Sequence, residues 1–344
     1  MMVNIDYCLT PEDFFRILDE THPKGVEEET ENCTFCAMRK QCTFTDKEKV
    51  INTLLTMELE QSRIPKILRM LQKDPGILYL VPAFVYKKMY GNGREYLECP
   101  YKSTKVWENL KSIQKVYELL TTEYSKISFL NILAYRMTLN RDYISRAYSI
   151  QPQYFIPEYR NLKSDEIYVD CGAFTGDSME LYCKYNQAPI TAYLFEPDEG
   201  NLVFLKKNIE KFTDRTDFKI VKKGVYKTTG KLYFSSGMGS DSHFSETPTA
   251  NSTYMEVIAL DDAINDRVSF IKMDIEGSEY DALLGAKRII RDYYPKLAIC
   301  LYHRIDDLWR IPLLIQKQFP EYNHYEIHQH KMFFSETVLY VWRS

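Results

Sequence analysis

The chain lacks the features that would place it in a membrane or on a nucleic acid. No uninterrupted apolar stretch approaches the roughly 20 residues that a membrane span requires. The segment Met1 to Asp6 has no basic region followed by an apolar run, so no secretory leader is expected. Net charge is −4 and the lysines and arginines are scattered, which leaves no electrostatic footprint for nucleic acid or an anionic lipid surface. Repeats and low-complexity segments are also missing. Eight cysteines without a secretion signal read as thiols or metal ligands rather than disulfides. The expectation is a soluble cytoplasmic protein of 344 residues, long enough for a full α/β domain and a smaller one.

One missing glycine is equally informative. The apolar run Ile167–Val169 ends in Asp170 and opens into a loop containing Gly172, Ala173, Gly176 and Asp177. A second apolar run, Thr191–Phe195, closes on Glu196. Strand, glycine turn, helix, strand, acid is the wiring of a nucleotide-type cofactor site at the carboxyl edge of a parallel sheet. The glycines permit a tight turn, the helix N-terminus supplies free N–H donors, and the acid can take two ribose hydroxyls. A dinucleotide fingerprint needs G-x-G-x-x-G, whose middle glycine seats a pyrophosphate. Here the pattern is Asp170-x-Gly172-x-x-x-Gly176, with a carboxylate that repels a pyrophosphate and suits the ammonium and sulfonium of S-adenosylmethionine (SAM). An NAD-dependent oxidoreductase on a similar sheet is thereby disfavoured.

Two regions separate along the chain. Residues 1–150 read as helical. Thr45-x-x-Glu48 forms a capping box before apolar residues at helical spacing, and Pro65 and Asp74-Pro75-Gly76 interrupt that helical pattern. Further amphipathic stretches run through Val106, Leu110, Ile113, Tyr117 and Leu120, and through Ile127, Leu130, Leu133 and Met137. Residues 151–164, with two prolines and little periodicity, read as a linker. Residues 165–344 alternate strands and helices. Parallel strands are expected at Ile167–Cys171, Thr191–Phe195, Phe218–Val221, Ser269–Met273 and Leu297–Leu301. Helices are expected near Ser178–Tyr185, Gly200–Phe212 and Tyr280–Asp292. Val225–Lys227 and Lys231–Phe234 flank a hairpin signal at Gly230, and Met255–Leu260 reads as a strand ending at Asp261-Asp262. Tyr325–His328 and Thr337–Tyr340 can pair as a terminal antiparallel hairpin. Alternation alone argues only for α/β. The hairpin turns the reading toward a class I, Rossmann-like methyltransferase sheet.

Five blocks in this order resemble the FkbM-type methyltransferase family. They are Val169 to Asp177, Phe195 to Asn201, Leu260 to Asp262, Ile271 to Glu279 with Leu284 to Ala286, and Pro295 to His303 with the closing Glu336 to Tyr340. The run around Ile132 to Arg136, with Tyr154 and Phe155, is similar to the lead-in found in part of that family. The resemblance covers the C-terminal ~180 residues. It implies SAM-dependent methyl transfer, usually to a hydroxyl oxygen of a sugar, glycan or secondary metabolite. A SAM-fold scaffold with decayed catalysis is the rival, against which Asp170, Gly172, Glu196 and Asp274 are all in place.

Residue roles are assigned by the chemistry. Asp170, Gly172, Ala173, Gly176 and Asp177 belong around the methionine end of the cofactor, and Glu196 at the ribose. Asp241 or Ser242 are candidates for the adenine end. Asp274 and Glu276 emerge where the methyl group should lie, with helix capping as their alternative role. A base must remove the acceptor proton, and His303, just past the fifth strand, is the best-placed imidazole. His328 and His330 share one face of a strand, from which they could reach the acceptor or a metal, and read first as a solvated face. The acceptor pocket itself is not encoded in these motifs, and the 27 tyrosines fit a sugar site or plain core.

Cys33, Cys36 and Cys42 have the compact spacing of a metal knuckle, with Cys8 or His22 as a fourth ligand. The spacing is not C-x3-C-x2-C, so radical chemistry is not indicated. A structural zinc, an iron–sulfur cluster and ordinary free thiols all remain open readings of this segment, with zinc the default metal.

Overall fold

The computed structural model describes residues 10–21, 103–138, 141–160, 166–186, 188–235, 243–245, 252–332 and 335–344. Cys8, Cys33, Cys36, Cys42, His22, the Thr45 capping box, Pro65, Asp241 and Ser242 lie outside these residues.

The N-terminal part contributes α1 (Pro11–Thr21), α2 (Ser103–Glu108), α3 (Leu110–Leu119), α4 (Glu123–Thr138) and α5 (Arg141–Ala147). The stretch from Val106 to Leu120 reads as one amphipathic segment but breaks at Asn109, whose side-chain amide donates to the Lys105 carbonyl at 2.8 Å. On α4, Phe129 to Met137 are all buried, and the apolar residues among them share one core with Ile327, Leu339 and Val341 of the sheet.

The sheet begins with β1 (Glu166–Cys171), α6 (Asp177–Tyr185), β2 (Ile190–Phe195), α7 (Glu199–Ile209) and β3 (Thr216–Val221). A second group comes next: β4 (Gly224–Val225), β5 (Gly230–Ser235), β6 (His243–Ser245), β7 (Ser252–Ile258) and α8 (Leu260–Ala263). The chain then returns through β8 (Phe270–Met273), α9 (Glu279–Leu284), α10 (Lys287–Tyr293), β9 (Lys296–Cys300), α11 (Asp307–Gln318), β10 (His324–Gln329) and β11 (Thr337–Trp342). The main sheet has the order β10-β11-β9-β8-β1-β2-β3. β9 to β3 run parallel, and β11 pairs antiparallel with both β9 and β10. The strand order reverses between β1 and β8, and that switch point opens a crevice at the carboxyl ends.

Three local expectations change. The hairpin around Gly230 does not form, because β4 and β5 both pair with β7: Gly224, parallel, and Gly230, antiparallel, each register with Val257. The single helix expected over Tyr280–Asp292 is two, broken at Gly285, where a Cβ would sit 2.2 Å from the Tyr226 carbonyl oxygen. Asp261, expected only to end a strand, instead accepts the Arg288 and Ile289 N–H groups at 2.7 and 3.0 Å and caps α10.

The outer edge of β10 is not left bare. Thr121 N–H donates to the Tyr325 carbonyl at 2.9 Å, Ile327 N–H donates to Ser125 Oγ at 3.0 Å, and Ser149 N–H donates to the Gln329 carbonyl at 2.7 Å. The helical part therefore covers the edge that would otherwise pair with another chain. Residues 151–160 do more than connect. Tyr154, Phe155, Ile156 and Tyr159 are buried, and the Tyr159 hydroxyl lies 2.9 Å from the carbonyls of Leu297 and Val341.

Candidate active site

The glycine turn joins the ends of three strands. Gly172 has φ +82°, and a Cβ there would meet the Asp274 carbonyl oxygen at 1.9 Å, so only glycine lets β1 and β8 end in contact. The Gly172 and Ala173 N–H groups donate to the Phe195 carbonyl at 3.0 Å, and Asp274 N–H donates to the Cys171 carbonyl at 3.0 Å. The ends of β1, β2 and β8 are thereby locked together. Gly176, φ +91°, opens α6, followed by Asp177, while Phe174 at the tip of the turn stays 54 % exposed.

Glu196 leaves β2 with its carboxylate held from three sides. Oε2 accepts from Phe174 N–H at 2.9 Å, and Oε1 accepts from Asp198 N–H at 2.9 Å and from the Asn201 amide at 3.2 Å. Burial pushes its carboxyl up from the ordinary value, and these donors pull the other way. With three acceptor positions filled, a carboxylate fixed in this way keeps a lone pair on Oε2 for a further donor.

Asp170, expected at the methionine end of the cofactor, has its carboxylate turned to partners inside the fold. It is wholly buried, its Oδ1 lies 2.9 Å from Lys272 Nζ, and its Oδ2 accepts from the Tyr168 and Ser178 hydroxyls. Asp170 and Lys272 are direct neighbours in the β1–β8 register, so their side chains share one face. Lys272 also donates to the Gly172 carbonyl at 2.7 Å. Burial opposes its charge, but Asp170 and Asp274 outweigh that and hold the ammonium above its ordinary range. The pair ties the glycine turn to β8. Lys272 is absent from the residues singled out by sequence. Its signal is a lysine inside the apolar run Phe270–Met273, where a charge demands a buried partner.

A second cluster lies at the carboxyl ends of β8 and β9. Asp274 Oδ2 accepts from the Tyr154 hydroxyl and Oδ1 from the Tyr302 hydroxyl, each at 2.8 Å. Burial works against its charge, yet Lys272, His303 and the two hydroxyls hold its carboxyl below the ordinary value. His303 Nε2 lies 3.4 Å from Asp274 Oδ1 and 3.6 Å from Glu276 Oε2, and its Nδ1 lies 2.9 Å from Glu279 Oε1. Burial lowers the imidazole's affinity for a proton, but Glu279, Asp274 and Glu276 outweigh it and raise the pKa to about 10. At neutral pH His303 is thus an imidazolium in this ligand-free arrangement, which does not suit the base expected of it. Glu276 sits in the left-handed region at φ +55°, with its side chain 65 % exposed, so its carboxylate reaches the open edge.

The remaining histidines of the terminal hairpin are tied up. His328 lies 2.8 Å from Glu326 Oε2 and 3.2 Å from Ser149 Oγ, and His330 lies 2.8 Å from the Tyr340 hydroxyl and 3.1 Å from the Gln151 carbonyl. They do not form a solvated face: His328 is buried, and burial depresses His330 to about 3.

A parallel sheet reversing between β1 and β8, capped by an antiparallel β11–β10 pair, with acids converging on the switch point, is a methyltransferase architecture. Residues 170–338 match the family described as the methyltransferase FkbM domain, and this part of the chain is an FkbM methyltransferase domain. The chain is similar to the crystal structure of methyltransferase FkbM from Methylobacillus flagellatus KT, with 28 % identity and a TM-score of 0.59. That match covers 70 % of this chain and 60 % of the other, so the chain spans about three fifths of that protein. Weaker likenesses, each with a TM-score of 0.32, are to precorrin-6y C5,15-methyltransferase from Geobacter metallireducens GS-15 and a methyltransferase from Geobacter sulfurreducens. The first is 15 % identical and covers 53 % of this chain and 82 % of that one; the second is 11 % identical and covers 68 % and 87 %. No curated protein matches the chain. Among the described residues, no helix is long and apolar enough to cross a membrane.

Proposed function

We propose that the domain is a SAM-dependent methyltransferase acting on a hydroxyl of a small-molecule or glycan acceptor. The observation that carries this reading is the convergence of Gly172, Glu196 and Asp274 at the ends of β1, β2 and β8, joined by backbone hydrogen bonds through Phe195 and Cys171. The donor set fits the cofactor. Glu196 offers a fixed carboxylate with a lone pair on Oε2 free for a ribose hydroxyl, and the Gly172–Asp177 turn presents backbone and a helix N-terminus to the methionine end. Asp274, Glu276 and Glu279 against one imidazolium leave the edge negative, which suits a sulfonium. When bound, SAM supplies a methyl carbon already activated for displacement.

The chain's own work is then positioning and proton removal. Asp274 stays ionised at neutral pH and can accept the hydroxyl proton, while Tyr154 and Tyr302 fix the orientation of its carboxylate. His303 holds positive charge beside it. Asp170 and Lys272 hold the turn to β8 from inside and touch no reactant. The test is transfer of labelled methyl from SAM to a panel of hydroxyl acceptors. Asp274→Asn should lower turnover by about 10²–10⁴-fold, the usual worth of a positioned base, with SAM affinity nearly intact. Turnover equal to wild type on the accepted substrate would remove Asp274 from the role.

A further inference from the structure

His303 and the carboxylates around it have a geometry that the methyl-transfer reading does not use. The imidazole is nine-tenths buried, neither ring nitrogen completes a well-aligned hydrogen bond, and two carboxylate oxygens face Nε2. Those oxygens, Asp274 Oδ1 and Glu276 Oε2, stand at 3.4 and 3.6 Å, beyond the usual N–H···O range. Neighbouring ligands on one ion stand about 3.0–3.4 Å apart for metal–ligand bonds near 2.1 Å, so Asp274 Oδ1 is already at that separation and the Glu276 carboxylate needs to close in by a few tenths of an ångström.

The opposite side of the ring is prepared as metal sites are. Nδ1 is 2.9 Å from Glu279 Oε1, and Glu279 is wholly buried and fixed by Ile275 N–H, which donates to the same oxygen at 2.8 Å. A carboxylate holding the Nδ1 proton leaves Nε2 as the nitrogen that gives up its proton to an entering cation and turns its lone pair outward, the usual support of a metal-binding histidine. The Tyr154 and Tyr302 hydroxyls orient the Asp274 carboxylate in the same sense. Asp274, Glu279 and His303 each bring a ligand-type atom within 4.8 Å of the others. Backbone shape adds to this. Glu276, a non-glycine residue, is held at φ +55° before Gly277 at φ +90°, a conformation that sets its carboxylate beside His303.

We propose that His303 Nε2, Asp274 and Glu276 form a binding site for one divalent cation of the Mg²⁺ or Mn²⁺ class, with Glu279 as the carboxylate behind the histidine. Two carboxylates suit a hard ion of this class, the imidazole moves the preference from Mg²⁺ toward Mn²⁺, and three protein ligands leave positions for oxygen from outside. The partial exposure of Asp274 and Glu276 puts those positions on the open side of the cluster. Resting on the methyltransferase reading, the ion's place beside Asp274 makes the acceptor a molecule that offers oxygen to a cation, such as a vicinal diol. Cation binding itself does not depend on that reading.

The experiment is titration of the metal-stripped full chain with Mn²⁺, followed by the paramagnetic resonance signal of the free ion, with SAM titrated in parallel by calorimetry. One Mn²⁺ per chain is expected, competed by Mg²⁺, with affinity falling at least tenfold in Glu276→Gln and in Asp274→Asn. Glu276 is exposed, so its variant keeps the fold, and a thermal melt checks this for both. Absence of saturable Mn²⁺ binding, or binding unchanged in both variants, overturns the cation site, whether or not SAM binds. Mn²⁺ binding with no SAM binding sustains the site and overturns the cofactor reading instead.

Discussion

At the scale of single residues, the Asp170–Lys272 pair separates an internal anchor from the reactive edge. Asp170 reads in sequence as the acid that faces the cofactor, because it ends an apolar strand before a glycine turn. Its actual direction depends on which strand lies beside β1, and the β8 neighbour carries Lys272 in register with it. That pairing joins positions 102 apart and is invisible in a local pattern. Glu196 and Asp274 show the complementary case: each comes directly after a strand, so strand assignment alone carries them to the carboxyl edge. The consequence for stability is direct. Removing one partner of a buried, well-bonded ion pair leaves an uncompensated charge, so Lys272→Met should destabilise the fold by about 3–5 kcal/mol in a denaturant titration. The double change Lys272→Met with Asp170→Leu should recover part of that loss. A Lys272→Met protein as stable as the parent would mean that the pair does not anchor the turn.

At the scale of elements, α11 forms against local propensity. Pro312 lies inside this helix, and the interior proline argues against a helix there when only the sequence is read. Packing overrides it: Leu308, Trp309, Ile311, Leu314 and Ile315 are all buried. The same helix begins with a wholly buried acid, Asp307. Burial and the Glu279 charge raise its carboxyl to about 7, despite the Arg310 guanidinium 2.9 Å away. A folded-state value above the unfolded one favours the fold while the group is protonated, below about 4, and that stability is lost as pH rises through about 7. The melting temperature of wild type should therefore fall relative to Asp307→Asn between these limits, since the amide stays neutral throughout. Melting curves of the two proteins that run parallel across this range would contradict the assignment. The second sheet departs from its local pattern for a related reason. A glycine turn between two apolar runs signals a hairpin, but a third strand, β7, takes both partners.

At the scale of the whole molecule, alternation makes the five parallel strands and their terminal antiparallel pair legible, because each buried strand is a short apolar run between turns. How the helical part attaches is not legible. It is joined to the sheet by Thr121, Ser125 and Ser149 on the β10 backbone, contacts made by residues whose types fit any loop or helix start. Segment 151–160 is equally opaque, since a chain crossing strands has no period of its own, yet it delivers Tyr154 to Asp274 across 120 residues. The central claim is that these distant parts meet to form one SAM site at the ends of β1, β2 and β8. Calorimetric titration of the full chain with SAM, and separately with NAD, tests it most directly. The account predicts one SAM site per chain, no NAD binding, and a loss of about 1.5–3 kcal/mol in Glu196→Ala, the worth of hydrogen bonds to a charged group. NAD binding in place of SAM, or SAM affinity unchanged in a folded Glu196→Ala protein, would contradict it.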